Sequence, residues 1–153
     1  MAAQTRNEIL INAPLELVWQ MTNDVASWPG LFTEYAQADI LEEDERSVLF
    51  RLTTQPDEDG KTWSWVSRRI MDPEEHKVHS ERVETGPFEY MRIHWTYEEL
   101  AGGTRMVWMQ DFHMQPSAPV DDETMAERIN AGSPEQMQAI KRKIEAAAAT
   151  GDR

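Results

Sequence analysis

In the stretch Trp63-Ser64-Trp65-Val66-Ser67-Arg68-Arg69, every second residue reads Trp, Trp, Ser, Arg. Side chains alternate along an extended chain, so Trp63, Trp65, Ser67 and Arg69 share one face. Two indoles alone would be core. An arginine continuing their face is not, because a buried guanidinium needs partners. The stripe reads as a cavity wall, with aromatic surface for a flat or conjugated ligand and one fixed cation to polarise it. On the residues alone, a strand-end arginine with its head in solvent or on a carboxylate is equally good.

Other residues could join it. Tyr35, beside Glu34, can donate its hydroxyl to a developing alkoxide or pack as an amphipathic ring with its hydroxyl wet. Arg82 shares a face with Val78 and Ser80, and could grip a second oxygen or pair with a carboxylate. Met91, Ile93, Trp95 and Tyr97 alternate inward on one strand, and Met106, Trp108, Gln110 and Phe112 on the next. Gln110 is then a polar group in an aromatic run that needs a partner. Trp28, Phe32 and, further on, Ile129 add apolar surface.

These residues are carried by a strand over Thr5–Asn12, a helix Leu15–Thr22 opened by Asn12-Ala13-Pro14, and a short helical piece capped by Asn23-Asp24 and ended by Trp28-Pro29. Strands follow over Tyr35–Glu42, Val48–Thr54, Lys61–Met71, Lys77–Val83, Phe88–Glu99 and Thr104–Met114, separated by turn-forming clusters such as Ala101-Gly102-Gly103. A helix from about Glu123 to Ala149 has Met125, Ile129, Met137, Ile140 and Ile144 near one face. Gly132-Ser133-Pro134 predicts a kink or break in it. The economical packing is a curved antiparallel sheet of about seven strands gripping the long helix, with a cavity between them.

The 153 residues read as one domain, with the last few expected to be disordered. A net charge of −13 argues against nucleic acid or an anionic membrane as partner. No apolar run is long enough for a bilayer, and the start lacks a signal segment. The absence of cysteine removes disulfides, thiolate metal sites and thiol nucleophiles, and fits a cytoplasmic protein. His76 and His79 fall on opposite faces, His94 and His113 point outward, and no metal-ligand spacing occurs, so no metal is expected. Nor is there a nucleophile elbow, a phosphate loop or a dinucleotide fingerprint. Lys141-Arg142-Lys143 reads as a solvated helix face, or more weakly as a carrier-docking patch.

Several phrases carry a family resemblance: Asn12-Ala13-Pro14 with Leu17-Val18-Trp19, Thr22-Asn23-Asp24, Trp28-Pro29-x-Leu31-Phe32-x-Glu34-Tyr35, Trp63-x-Trp65-Val66-Ser67, Arg82-Val83-Glu84-Thr85-Gly86-Pro87-Phe88 and His94-Trp95-Thr96-Tyr97. Together they resemble the bacterial aromatic polyketide aromatase/cyclases of the tetracenomycin and spore-pigment type. These are α+β helix-grip proteins akin to the START and Bet v 1 folds. The likeness runs from the N-terminus to about Met114. It implies first-ring aldol closure, between C9 and C14, and dehydration of a poly-β-ketone held on an acyl carrier protein and made by a ketosynthase/chain-length factor. It also implies catalytic roles for Arg69 and Tyr35 and a substrate-binding wall around them. No cofactor is implied, since protons between two ketones are already acidic. A monomer or weak dimer is the default. A non-catalytic carrier of a lipid or aromatic metabolite stays as the alternative, and so does an interaction protein with an incidental, filled interior.

Overall fold

The computed structural model describes residues 2–150, so the expectation for the last few residues lies outside the described residues. Its strands are β1 (Ala3–Ile11), β2 (Tyr35–Glu43), β3 (Ser47–Thr54), β4 (Ser64–Asp72), β5 (Lys77–Arg82), β6 (Phe88–Leu100) and β7 (Gly103–Met114). They form one antiparallel sheet in the order β1-β7-β6-β5-β4-β3-β2. Helix α1 (Leu15–Asn23), a 3-10 turn (Val25–Ser27) and α2 (Trp28–Leu31) fill the crossing from β1 to β2, and α3 (Asp122–Ala149) closes the chain. The sheet curves round α3, which lies mainly along β1. This is the expected helix-grip arrangement.

Three local readings need correction. Trp28-Pro29 starts α2 rather than ending a helix, because proline in the first turn loses no hydrogen bond. The side chains of Asn23 and Asp24 cap no helix N–H; Asn23 is used elsewhere, as described below. Helix α3 runs through Gly132-Ser133-Pro134 as one element of 28 residues. An interior proline costs about 3 kcal/mol. Met137, Ile140 and Ile144 are essentially fully buried against the sheet, and each contributes roughly 1.5–3 kcal/mol by burial. Packing therefore outweighs the local break.

The basic island on α3 is not simply solvated. Lys141 Nζ donates to the Leu10 carbonyl (2.7 Å) and to Glu145 (2.6 Å), and Glu145 accepts from the Asn12 N–H (2.8 Å). Lys143 Nζ donates to the Gly30 carbonyl at 2.6 Å. These bonds tie α3 to the end of β1 and to α2.

Leu100 and Gly103 pair across a tight turn, with Gly102 at φ +87° supplying the left-handed residue. A Cβ on Gly103 would stand 2.5 Å from the Ile11 carbonyl oxygen, a backbone atom of β1. Gly103→Ala is expected to force β1 and β7 apart. A loss of about 1–3 kcal/mol, read by denaturant unfolding, is the expected outcome.

Candidate active site

Between the sheet and α3 lies a cavity of about 290 Å³. Strand β4 contributes Trp65, Ser67 and Arg69 to its wall, and β5 contributes Ser80 and Arg82. Strand β6 supplies Met91 and Trp95, and β7 supplies Trp108 and Gln110. Trp28 and Phe32 come from the α2 region, Glu34 and Tyr35 from the rim, and Ile129 from α3.

Two expected members fall elsewhere. Trp63 lies outside the cavity and is 58% exposed. The β3–β4 ladder ends at Thr53 and Ser64, so Trp63 is past the last pair; its N–H donates to Thr54 Oγ1 and its carbonyl accepts from the Thr54 N–H. Phe112 points inward but is fully buried behind Phe88 and Met91, which line the cavity in its place.

Arg69 is 1% exposed. Its Nε and Nη2 donate to Asn23 Oδ1 at 3.1 and 2.9 Å, and Nη2 also reaches the Thr22 carbonyl at 3.4 Å. Asn23 and Thr22 end α1, where unpaired carbonyls concentrate partial negative charge. The cation that complements this helix end thus comes from β4. Its guanidinium carbon stands 4.3 Å from the Trp95 ring and 5.1 Å from the Trp28 ring. No carboxylate pairs with it among the described residues. Burial pushes its pKa down to about 10, against support from Tyr97 and Tyr35, so it stays a cation at neutral pH. Nη1 takes no part in the bonds to Asn23 and Thr22, and the Tyr97 hydroxyl gives the guanidinium a further hydrogen-bond partner.

The support behind Arg69 is itself fully bonded. Thr22 Oγ1 donates to the Val18 carbonyl (2.7 Å) and accepts from the Tyr97 hydroxyl (2.6 Å). Trp28 Nε1 donates to the Thr22 carbonyl at 3.1 Å. The indole floor is continuous: Trp95 stacks on Trp108 at 4.5 Å and 10°, and lies near-parallel to Trp28 at 5.9 Å and 18°.

Tyr35 reaches the cavity through a β-bulge. Tyr35 pairs with Thr54 and Gln37 with Thr53, so Ala36 is an extra residue. Without it Tyr35 and Gln37 would share a face; with it Tyr35 turns inward while Gln37 is exposed. A second bulge between Phe88 and Tyr90 turns Phe88 inward. Arg82 then lies over Trp65 (4.1 Å) and Phe88 (4.8 Å), with no carboxylate partner among the described residues. Desolvation lowers its pKa to about 10, opposed by Tyr35.

Desolvation raises the Tyr35 pKa well above its ordinary 10, and the Glu34 carboxylate adds to this; Arg82 and Arg69 pull the other way. Tyr35 is therefore a neutral phenol, a proton donor rather than a base. The Glu34 pKa is raised by desolvation, partly offset by the Tyr35 hydroxyl.

Sequence reading missed Asn23 as the partner of Arg69, and it missed Gln136 and Arg128. Gln136 Oε1 accepts from the Thr33 N–H (2.9 Å) and Nε2 donates to Thr33 Oγ1 (2.7 Å), fastening α3 to the loop before Tyr35. A signal existed: Ile129, Ser133, Gln136, Ile140 and Ile144 share one helical stripe, so polar groups interrupt its core face. Arg128, exposed on α3, lies on the cavity rim. Two uncarboxylated guanidiniums, a neutral phenol and parallel indoles can hold a flat, oxygen-rich chain and stabilise negative charge forming on one oxygen.

The sequence model of the family described as "Polyketide cyclase / dehydrase and lipid transport" matches residues 11–141. A Streptomyces cyaneus protein named "Putative polyketide cyclase" is 56% identical over 150 residues, 98% of this chain and 99% of its own length. A Streptomyces coelicolor actinorhodin polyketide synthase bifunctional cyclase/dehydratase is 25% identical over 132 residues, 84% of this chain and 40% of that protein. Among solved structures, the Zhui aromatase/cyclase from Streptomyces superposes with a TM-score of 0.81 at 23% identity, covering 100% of this chain and 97% of that one. Ara h 8.0201 does so with a TM-score of 0.75 at 19% identity, covering 95% and 99%. No helix among the described residues is long and apolar enough to cross a membrane.

Proposed function

Because the chain belongs to the polyketide cyclase / dehydrase and lipid transport family, we propose that it closes and aromatises the first ring of a carrier-bound poly-β-ketone. The observation that carries this is Arg69, a buried cation on the cavity wall with no carboxylate partner among the described residues, set between two indoles. A carrier of apolar ligands gains nothing from burying such a charge, whereas ketone chemistry uses it.

The carbon between two ketones, as its enol, attacks a ketone carbon further along the chain, and the enol O–H proton passes to solvent as its own carbonyl re-forms. The carbonyl π pair moves onto oxygen, and Arg69 stabilises the alkoxide as it forms. Tyr35 donates its proton to that oxygen and recovers one through Glu34 or solvent. Loss of the new hydroxyl with a hydrogen from the neighbouring carbon releases water, and enolisation completes the aromatic ring. Arg82 over Trp65 holds a second substrate oxygen, and Gln110 a third on the opposite wall. The stacked indoles exclude water and fold the chain so that the reacting carbons meet. The regiochemistry is C9 to C14, as the likeness to tetracenomycin-type cyclases implies. The partners are an acyl carrier protein and the ketosynthase/chain-length factor, in the cytoplasm.

The test is reconstitution of a minimal polyketide synthase with and without the protein, reading products by chromatography and mass. Conversion of shunt products to one C9–C14 aromatic skeleton is expected; an unchanged profile overturns the reading and favours a carrier. In the same assay Tyr35→Phe is expected to lower aromatic product formation by about 10²-fold, the usual worth of a positioned proton donor. Wild-type rate should stay flat from neutrality and fall only as pH nears 10, where Arg69 gives up its charge while the Tyr35 proton is still retained. On the acid side the fall should begin above the ordinary carboxylate range, as the raised Glu34 group takes up a proton. A basic limb near neutrality would contradict the donor role.

A further inference from the structure

The outer face of the sheet carries a histidine pair that the cavity does not use. His79 on β5 and His94 on β6 lie directly opposite in the antiparallel register. Their Nδ1 atoms stand 3.4 Å apart and their ring centroids 4.7 Å. Each neutral imidazole has one N–H and one lone pair, so facing nitrogens call for a proton or a cation between them. The other nitrogen of His79 is already committed, for Nε2 lies 3.1 Å from Glu81 Oε1. The carboxylate accepts that N–H, which leaves the His79 lone pair on Nδ1, facing His94.

The spacing suits a metal better than it suits a hydrogen bond, for which 3.4 Å is long. Two nitrogens bound to one tetrahedral zinc at about 2.0–2.1 Å stand roughly 3.3–3.4 Å apart. A carboxylate holding the far nitrogen of a ligating histidine is the common outer support of such sites. Both rings are accessible: His94 is exposed, and the His79 side chain is 36% exposed. Arg92, the neighbouring cation on β6, faces Asp111 at 3.8 Å.

We infer that His79 and His94 form a two-nitrogen site for a borderline-soft dication, Zn²⁺ or Cu²⁺, bridging β5 and β6 on the outer face of the sheet. Imidazole donors select these ions over Mg²⁺ or Ca²⁺. No group of three or more potential ligands occurs among the described residues, so water completes the coordination. The inner faces of the same strands carry Ser80 and Trp95 of the cavity wall. An ion bound to the folded chain alone would therefore clamp that wall and raise thermal stability.

The test is calorimetric titration of the tag-free full chain with zinc chloride, with thermal unfolding followed alongside. Saturable binding of one ion per chain and a raised Tm are expected, with magnesium chloride giving neither. His79→Gln and His94→Gln should each weaken zinc binding by about tenfold or more, and Glu81→Gln by about tenfold through loss of the outer support. An Arg69 variant should bind zinc as the wild type does, so the result is independent of the cyclase reading. Equal zinc binding in both histidine variants would assign it to the acidic surface and overturn the site, and so would an absence of saturable binding in the wild type. Two separate histidine variants keep the test decisive if one of them folds poorly.

Discussion

Replacing Arg69 with methionine is expected to lower formation of the ring-closed aromatic product by about 10²–10³-fold, the usual cost of removing one donor to a developing oxyanion. The fold should survive. Methionine fills a similar volume, and exchanging a buried charge for an apolar group is often neutral. Against that, Asn23 Oδ1 loses both donors from Arg69, which costs about 1–3 kcal/mol if it stays buried and unpaired. Thermal unfolding of the variant should therefore show a modest shift beside a large loss of product. Arg69→Lys should rescue little, because one ammonium cannot span Asn23, the Thr22 carbonyl and a substrate oxygen as the guanidinium fork does. Full activity in Arg69→Met would mean that the cavity works as a mould alone.

The second large effect is on stability and separates two tryptophans that look alike in sequence. Trp95 is 5% exposed and touches Trp108, Trp28, Phe32 and Arg69. Trp95→Ala is expected to cost about 3–5 kcal/mol. At about 2–4 °C per kcal/mol for a domain of this size, the Tm should drop by roughly 6–20 °C. Trp63→Ala should change stability by no more than about 0.5 kcal/mol, since a surface side chain away from packing contributes little. Differential scanning calorimetry of the two variants checks both. A comparable loss in Trp63→Ala would return that indole to the cavity wall.

Much of this site was legible in the chain because a strand's period of two assigns faces without knowledge of the partner. Trp65, Ser67 and Arg69 line the cavity together, as do Met91 with Trp95 and Trp108 with Gln110. The same rule failed at Trp63, because alternation says which way a residue points and not where the ladder stops. It had no hold on Tyr35 or Phe88, whose inward turn depends on bulges set by pairing with Thr54 and Met114.

The order of elements, the inward arginine and the aromatic stripes were determined by local pattern and composition. Tertiary structure alone decided what Arg69 meets. Its oxygen partner, Asn23, lies 46 residues away at the end of α1, and nothing in either local sequence announces the other. The continuity of α3 through Pro134 was decided in the same way: the local cost is written in the sequence, while the burial that outweighs it comes from strands distant in the chain. Periodicity encodes direction, but the free energy of a buried charge or a helix break depends on what lies opposite, and that exists only once the chain has closed on itself.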